Sequence, residues 1–261
     1  VMVSLIGFAA HRELGALVGS TQTLDTLLRI VQQYDLPFKR LAADLLALLA
    51  RREVVVAELL SMNGLGRLVG QLQSGDGPLT QSLLRVVCYL AADSASLSEI
   101  YQTGTVTVLL ALVAGVVREY AGSQAAPPLL PPSRITDMQL VCTALTRISE
   151  DDELSQAIRA CNGVCLLGKL LLVGPAGAGG SDSGAASSAA AGGGSASVAS
   201  LRSYVFRALR FLFSMERNRK VFKRLFPPDL FAAFIDVGHY NAALAAYGHL
   251  VQRFAELSDK Q

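Results

Sequence analysis

Apolar residues recur along this chain in two alternating phrases. The first is a short polar step carrying glycine, followed by an apolar stretch. Asn63-Gly64 leads into Leu65, Leu68, Val69 and Leu72; Thr103-Gly104 into Val106, Leu109, Leu110 and Val113; Asn162-Gly163 into Val164, Leu167, Leu170 and Leu171. The second phrase precedes the first: Leu41, Leu45, Leu46 and Leu49; Leu83, Val86, Val87 and Leu90; Val141, Ala144, Leu145 and Ile148; Val205, Ala208, Leu209 and Leu212. Each has the i, i+3/i+4, i+7 spacing of a helix with one apolar flank.

The intervals are regular apart from two excesses. The glycines at 64, 104 and 163 give steps of 40 and 59 residues, and the helix ends at 49, 90, 148 and 212 give steps of 41, 58 and 64. The first excess coincides with a Pro-rich run, 122–133, containing Pro127, Pro128, Pro131 and Pro132. The second coincides with the Gly/Ser/Ala-rich tract 174–200. Both are predicted to be long disordered loops, because proline breaks a helix and the tract has almost no core-forming residue. Upstream, Leu24, Leu27, Leu28 and Val31 supply a partial first unit. Downstream, Asp229 is placed to cap a helix with Leu230, Phe231, Phe234 and Ile235 on its apolar face.

The predicted organisation is one array over 1–257. Its units cover 1–36, 37–76, 77–121, 134–173 and 201–240, with a closing helix over 241–257. A period of about 40 residues is that of armadillo and HEAT arrays. A single helical pair cannot cover both of its apolar flanks, whereas stacked neighbours make one continuous core and tolerate insertions at turns. The expected fold is therefore all-α: an armadillo-type α-solenoid, a right-handed superhelix of stacked helical repeats.

Composition fits this picture. Of 261 residues, 51% are hydrophobic, 17% are charged and none is Trp, with a mean hydropathy of +0.40. A chain this apolar is not disordered throughout. Cys88, Cys142, Cys161 and Cys165 are too scattered for a disulfide framework and read as buried, reduced thiols of an intracellular, cytoplasmic protein. Cys161 and Cys165 are four apart and could share a helix face, but no nearby ligand completes a metal site. The absent initiator Met suggests a fragment. Residues 1–10 are too short for a membrane span, and the uncharged stretch 100–117 is read as a buried helix rather than a span.

One segment goes beyond repeat grammar. Ser214-Met215-Glu216-Arg217-Asn218-Arg219-Lys220-Val221-Phe222-Lys223-Arg224-Leu225-Phe226-Pro227 continues into Asp229-Leu230-Phe231 and Phe234-Ile235-Asp236-Val237-Gly238-His239-Tyr240. It resembles the last armadillo repeat of the NimA-related serine/threonine kinases that carry armadillo repeats ahead of the kinase domain. The close match covers roughly 203–250; the upstream units agree in architecture only, and the 174–200 tract departs from the family. The resemblance implies a non-catalytic regulatory or targeting segment, with a kinase domain expected after Gln261 and a link to cilia. No glycine-rich nucleotide loop follows a strand, and no Val-Ala-Ile-Lys, His-Arg-Asp or Asp-Phe-Gly sequence is present, so no catalysis is expected from these residues. The alternative is a stand-alone helical-repeat adaptor with no kinase attached.

Few residues invite chemistry. The glycine-rich run at 174–181 lacks the strand and lysine of a phosphate cradle. His11, His239 and His249 have no neighbours suited to catalysis or metal binding. Glu150-Asp151-Asp152-Glu153 reads as a solvated helix start. No cofactor and no metal are expected. The one candidate surface is basic: residues 201–224 carry eight cations and one acid, a net +7, which leaves −5 for the rest of a chain of total charge +2. Arg207, Arg210, Arg217, Arg219, Lys220, Lys223 and Arg224 are the candidates among these eight, with Arg147 upstream. Peptide-binding armadillo arrays carry an asparagine ladder on their third helices, and the matching positions here are Leu48, Tyr89, Arg147 and Phe211. The expected partner is therefore a protein with an acidic segment, or the kinase domain of the same polypeptide, rather than a basic peptide or nucleic acid. The oligomeric state stays open.

Overall fold

The computed structural model describes residues 2–10, 19–120, 130–171, 173 and 198–226, and these form helices and turns with no strand among them. In chain order the helices are α1 (Met2–Ala10), α2 (Thr21–Gln33), α3 (Leu36–Leu49), α4 (Glu53–Ser61), α5 (Gly64–Leu68, continued by a 3₁₀ turn Val69–Gln73) and α6 (Gly77–Leu90). Then come α7 (Leu97–Gln102), α8 (Thr105–Tyr120), α9 (Pro132–Ile148), α10 (Asp152–Ala160), α11 (Gly163–Leu171), α12 (Val198–Leu212) and α13 (Glu216–Leu225).

Two rows of helices run side by side. The first is α1, α3, α6, α9 and α12, each packed on the next. The second is α2, α5 with its 3₁₀ turn, α8 and α11. The short helices α4, α7 and α10 lead into the second row, each through a tight turn, and α13 packs on α11. Of the apolar positions read from the sequence in the first row, Leu45, Leu46, Leu49, Leu83, Val86, Val87, Leu90, Val141, Ala144, Leu145, Ile148, Val205, Ala208, Leu209 and Leu212 are buried, and Leu41 is half-buried. The buried apolar residues form one cluster from Ala9 to Phe226. Burying a Leu or Val contributes about 1.5–3 kcal/mol, so contacts between neighbouring units dominate the stability of the array.

Caps fix where the helices start. Ser20 accepts from Thr23 N at 3.4 Å, Asp76 from Leu79 N at 2.9 Å and Asp151 from Leu154 N at 2.9 Å. Asp151 is thus the N-cap of α10, with Asp152 and Glu153 in its first turn, as the acidic run suggested. Helix α9 begins at Pro132, two residues inside the expected loop 122–133. Proline suits the first turn, where its missing N–H has no intrahelical partner. Similarly, α12 begins at Val198, inside the expected tract 174–200. Residues 122–129 and 174–197 of these tracts, the expected helix capped by Asp229 and the expected closing helix at 241–257 lie outside the described residues, as do His11, His239, His249 and the glycine-rich run.

The glycine step proves to be a backbone step. Asn63, Gly104 and Asn162 adopt left-handed conformations, with φ of 52°, 65° and 59°. These positions are 41 and 58 residues apart, matching the helix ends, so the 40 and 59 counted on glycines were out of register by one residue at Gly104. Asparagine and glycine are the residues that tolerate this conformation. Gly64 and Gly163 answer a different need. A Cβ at either would lie 2.7 Å from a carbonyl oxygen of the preceding helix, Leu59 O or Ile158 O. The same turn separates Cys161, in the turn, from Cys165, in α11, so the shared helix face does not exist. Residues 100–117 break likewise: α8 and the segment before it meet at 74°, and no single helix among the described residues is long and apolar enough to cross a membrane.

A close approach at Gly163 and open space at Gly115, within α8, predict opposite effects of alanine. Gly163→Ala should destabilise by about 1–3 kcal/mol through overpacking. Gly115→Ala should stabilise by about 0.5–1 kcal/mol through helix propensity. Urea denaturation of both variants checks the pair.

Candidate partner-binding surface

The basic residues sit on α12 and α13, which a buried asparagine holds together. Asn218 is fully buried and donates from Nδ2 to Leu212 O at 2.8 Å and to Ser155 Oγ at 3.2 Å. It therefore ties the end of α12, the start of α13 and α10 into one unit. Phe222 fills the space beneath, edge-on to Phe213 with centroids 5.0 Å apart, and meets Phe226 at 4.6 Å. The Phe226 ring in turn occupies the place a side chain would take at Gly168. The phenylalanines among the basic residues are thus largely core, and only Phe211 is exposed.

This framework divides the eight candidate cations, seven between Arg207 and Arg224 and Arg147 on α9. Arg207, Arg210, Arg217 and Arg224 are exposed and make no ion pair with described residues. Arg207 lies 6.0 Å from the centre of the Tyr204 ring, one turn earlier, a cation–π contact that steadies the guanidinium. Lys220 is exposed but paired with Glu216 at 2.8 Å, an i,i+4 contact. That pairing draws the Glu216 carboxyl below its usual range. Arg219 turns inward and donates to Phe213 O at 2.9 Å. Arg147 is half-buried and donates to Cys88 O on α6. These last two are joints between helices, a role their residue type did not announce. The side chain of Lys223 lies outside the described set.

Other polar joints line the first row. Ser82 on α6 bonds Asp44 on α3. Cys88 Sγ donates to Leu140 O on α9 at 3.1 Å, and Gln139 on α9 donates to Ser200 on α12 at 2.7 Å. At the positions compared with the asparagine ladder, Leu48, Tyr89 and Arg147 are half-buried and Phe211 is exposed.

The four thiols are free. Burial pushes Cys88 up to about 12, with Arg147 opposing more weakly, and burial raises Cys142 further. A thiol held protonated is a poor nucleophile. Cys161 and Cys165 are half-buried. Among the described residues, no group of three or more His, Cys, Asp or Glu is placed to hold a metal ion.

Stacked rows of short and long helices, left-handed Asn or Gly steps and a continuous core define an armadillo-type α-solenoid. The solved structures agree. A designed armadillo repeat protein in complex with the peptide (KR)4 matches 94% of this chain and 91% of its own at a TM-score of 0.65 and 13% identity. Computationally designed armadillo repeat proteins for modular peptide recognition match at 0.66 and 12%, with the same coverage of both chains. Among curated proteins, the chain is similar to the human serine/threonine-protein kinase Nek10, 42% identical over 112 residues, which is 43% of this chain. A serine/threonine-protein kinase of Caenorhabditis elegans is 23% identical over 244 residues, 92% of the chain. The resemblance read at 214–240 thus points to the right relatives. The chain spans only 8% of the length of human Nek10 and 22% of the nematode kinase. No protein-family description matches it.

This geometry sets two expectations. Asn218→Ala, which leaves Leu212 O without its side-chain donor, should destabilise the array by about 1–3 kcal/mol, read as a lowered urea midpoint. Iodoacetamide at pH 8 should label Cys161 and Cys165 while Cys88 and Cys142 react only after denaturation, as mass spectrometry of the alkylated peptides would show.

Proposed function

We propose that this chain is a non-catalytic protein-binding scaffold, the regulatory segment of a NimA-related serine/threonine kinase, and that α12 and α13 dock an acidic segment. That segment belongs to a partner protein or to the kinase domain of the same polypeptide. The observation that supports this reading is the set of exposed guanidiniums, Arg207, Arg210, Arg217 and Arg224, on two consecutive helices without ion pairs to described residues. Arginine binds carboxylates through a planar fork of donors, and an exposed cationic patch speeds and orients encounter with an acidic partner. Arg147 and Arg219, held by backbone carbonyls, act as supports for the surface; Lys220 contributes from its pair with Glu216, and Lys223 belongs to the same block by sequence. The kinase relatives support the regulatory setting, and the free thiols suit a reducing, intracellular one, cytoplasmic and near cilia by resemblance. The adaptor reading differs only in the absence of a kinase beyond Gln261. A kinase reading frame in the same transcript supports the regulatory segment, and a stop codon supports the adaptor.

The docking surface is tested by fluorescence anisotropy with a labelled octaglutamate peptide and, separately, with the isolated kinase domain. Replacing Arg207, Arg217 and Arg224 by Glu should weaken octaglutamate binding at least tenfold, and added salt should weaken the wild type in parallel. Unchanged affinity in the variant would remove the basic surface from the account.

A further inference from the structure

Among the described residues, α1 is the one first-row helix without a second-row helix packed firmly against it. Elsewhere the pairing is regular: α3 packs on α2, α6 on the 3₁₀ turn that continues α5, α9 on α8 and α12 on α11. In each case the second-row element comes immediately before its first-row partner in the chain. Helix α1 has one substantial described neighbour, α3. Ala9 is buried, and Leu5 and Ile6 are half-buried against the core.

The rest of the α1 surface is apolar and uncovered. Val3 is 70% exposed and Phe8 50%, and Ser4, Gly7 and Ala10 are exposed beside them. Val3, Gly7 and Ala10 follow one line along the helix, and Ser4 and Phe8 follow the next. First-row helices with neighbours on both sides look different. Between Arg40 and Leu49, α3 exposes only Arg40 and Asp44; between Gln81 and Leu90, α6 exposes only Arg85. Their solvent lines are narrow and charged. Met2–Ala10 carries no charged residue and a single hydroxyl. A helix apolar all round belongs in an enclosed position, whereas the end unit of a stacked array presents a polar outer face.

Size and order along the chain identify the occupant. The 9 residues of α1 make a helix about 14 Å long and about 10 Å across. One such flank offers about 140 Å², whereas a stable complex of separate molecules buries about 800 Å² per partner. A second copy or a free protein is therefore poorly held here. A helix on the same polypeptide is brought to the flank by its connection and escapes most of the cost of association. The repeat puts such a helix directly before each first-row helix, across a junction as short as Tyr34-Asp35. We infer that the outer flank of α1 is a docking surface for the second-row helix of α1's own unit, encoded immediately upstream of Val1 in the parent polypeptide. That helix lays an apolar stripe on Val3 and Phe8 and turns a polar face to solvent. The inference is independent of the basic surface on α12 and α13.

The test compares the 261-residue chain with a longer one that includes the roughly 40 codons preceding Val1 in its transcript, one repeat's length. Hydrogen exchange of the Met2–Ala10 amides should slow at least tenfold in the longer chain, since an enclosed helix opens less readily than an end helix. Val3→Lys should lower the urea midpoint of the longer chain and leave that of the 261-residue chain unchanged, because the lysine is buried only in the former. The exchange comparison needs no variant and decides the case even if Val3→Lys prevents folding. Exchange unaltered by the added residues, an equal effect of Val3→Lys in both chains, or an initiation codon directly before Val1 would overturn the inference. So would a dimer, seen by sedimentation, that both chains form and Val3→Lys abolishes, for the occupant is then a second copy.

Discussion

Every helix in this protein depends on its neighbour to cover an apolar flank. The helices are short, from 5 to 17 residues, and helices of this length are marginal in water by themselves. What holds them is the meeting of Leu45, Leu46 and Leu49 with the equivalents on α6, and so on down the row. Contacts are therefore near neighbours in sequence as well as in space, and stability is built up locally, unit by unit.

That constraint explains where polar groups are admitted. Between consecutive first-row helices the joints are few and local: Asp44 with Ser82, Cys88 with Leu140 and Arg147, Gln139 with Ser200. Each satisfies a donor or acceptor at the edge of an otherwise apolar seam. Unlike a uniform leucine seam, such bonds fix one register of helix against helix. Arg147 belongs to this set, and Arg219 makes the same kind of joint between α13 and the turn after α12, so the charges of both are spent on backbone carbonyls.

Much of the fold was legible because the apolar positions repeat with the helix period and the insertions fall between helices. The register of the steps was not, because the eye counts glycines whereas the chain repeats a left-handed turn that Asn63 and Asn162 satisfy as well as Gly104. The Cys161–Cys165 pairing failed for the same reason. The basic block was visible as a cluster but its division was not, since outward and inward arginines look alike until the Phe213 and Cys88 carbonyls are placed. Asn218 breaks no apolar period and so stands out only within the 214–240 segment, although an asparagine two residues into a charged helix is a natural capping tie.

Both long insertions enter at the same kind of junction, between a second-row and a first-row helix: α8 to α9, and α11 to α12. The corresponding junction one unit earlier is crossed by Ser74, Gly75 and Asp76 alone. One border of the superhelix thus accepts added chain while neither row has to shift. Growth by extra sequence there leaves the number of stacked units untouched.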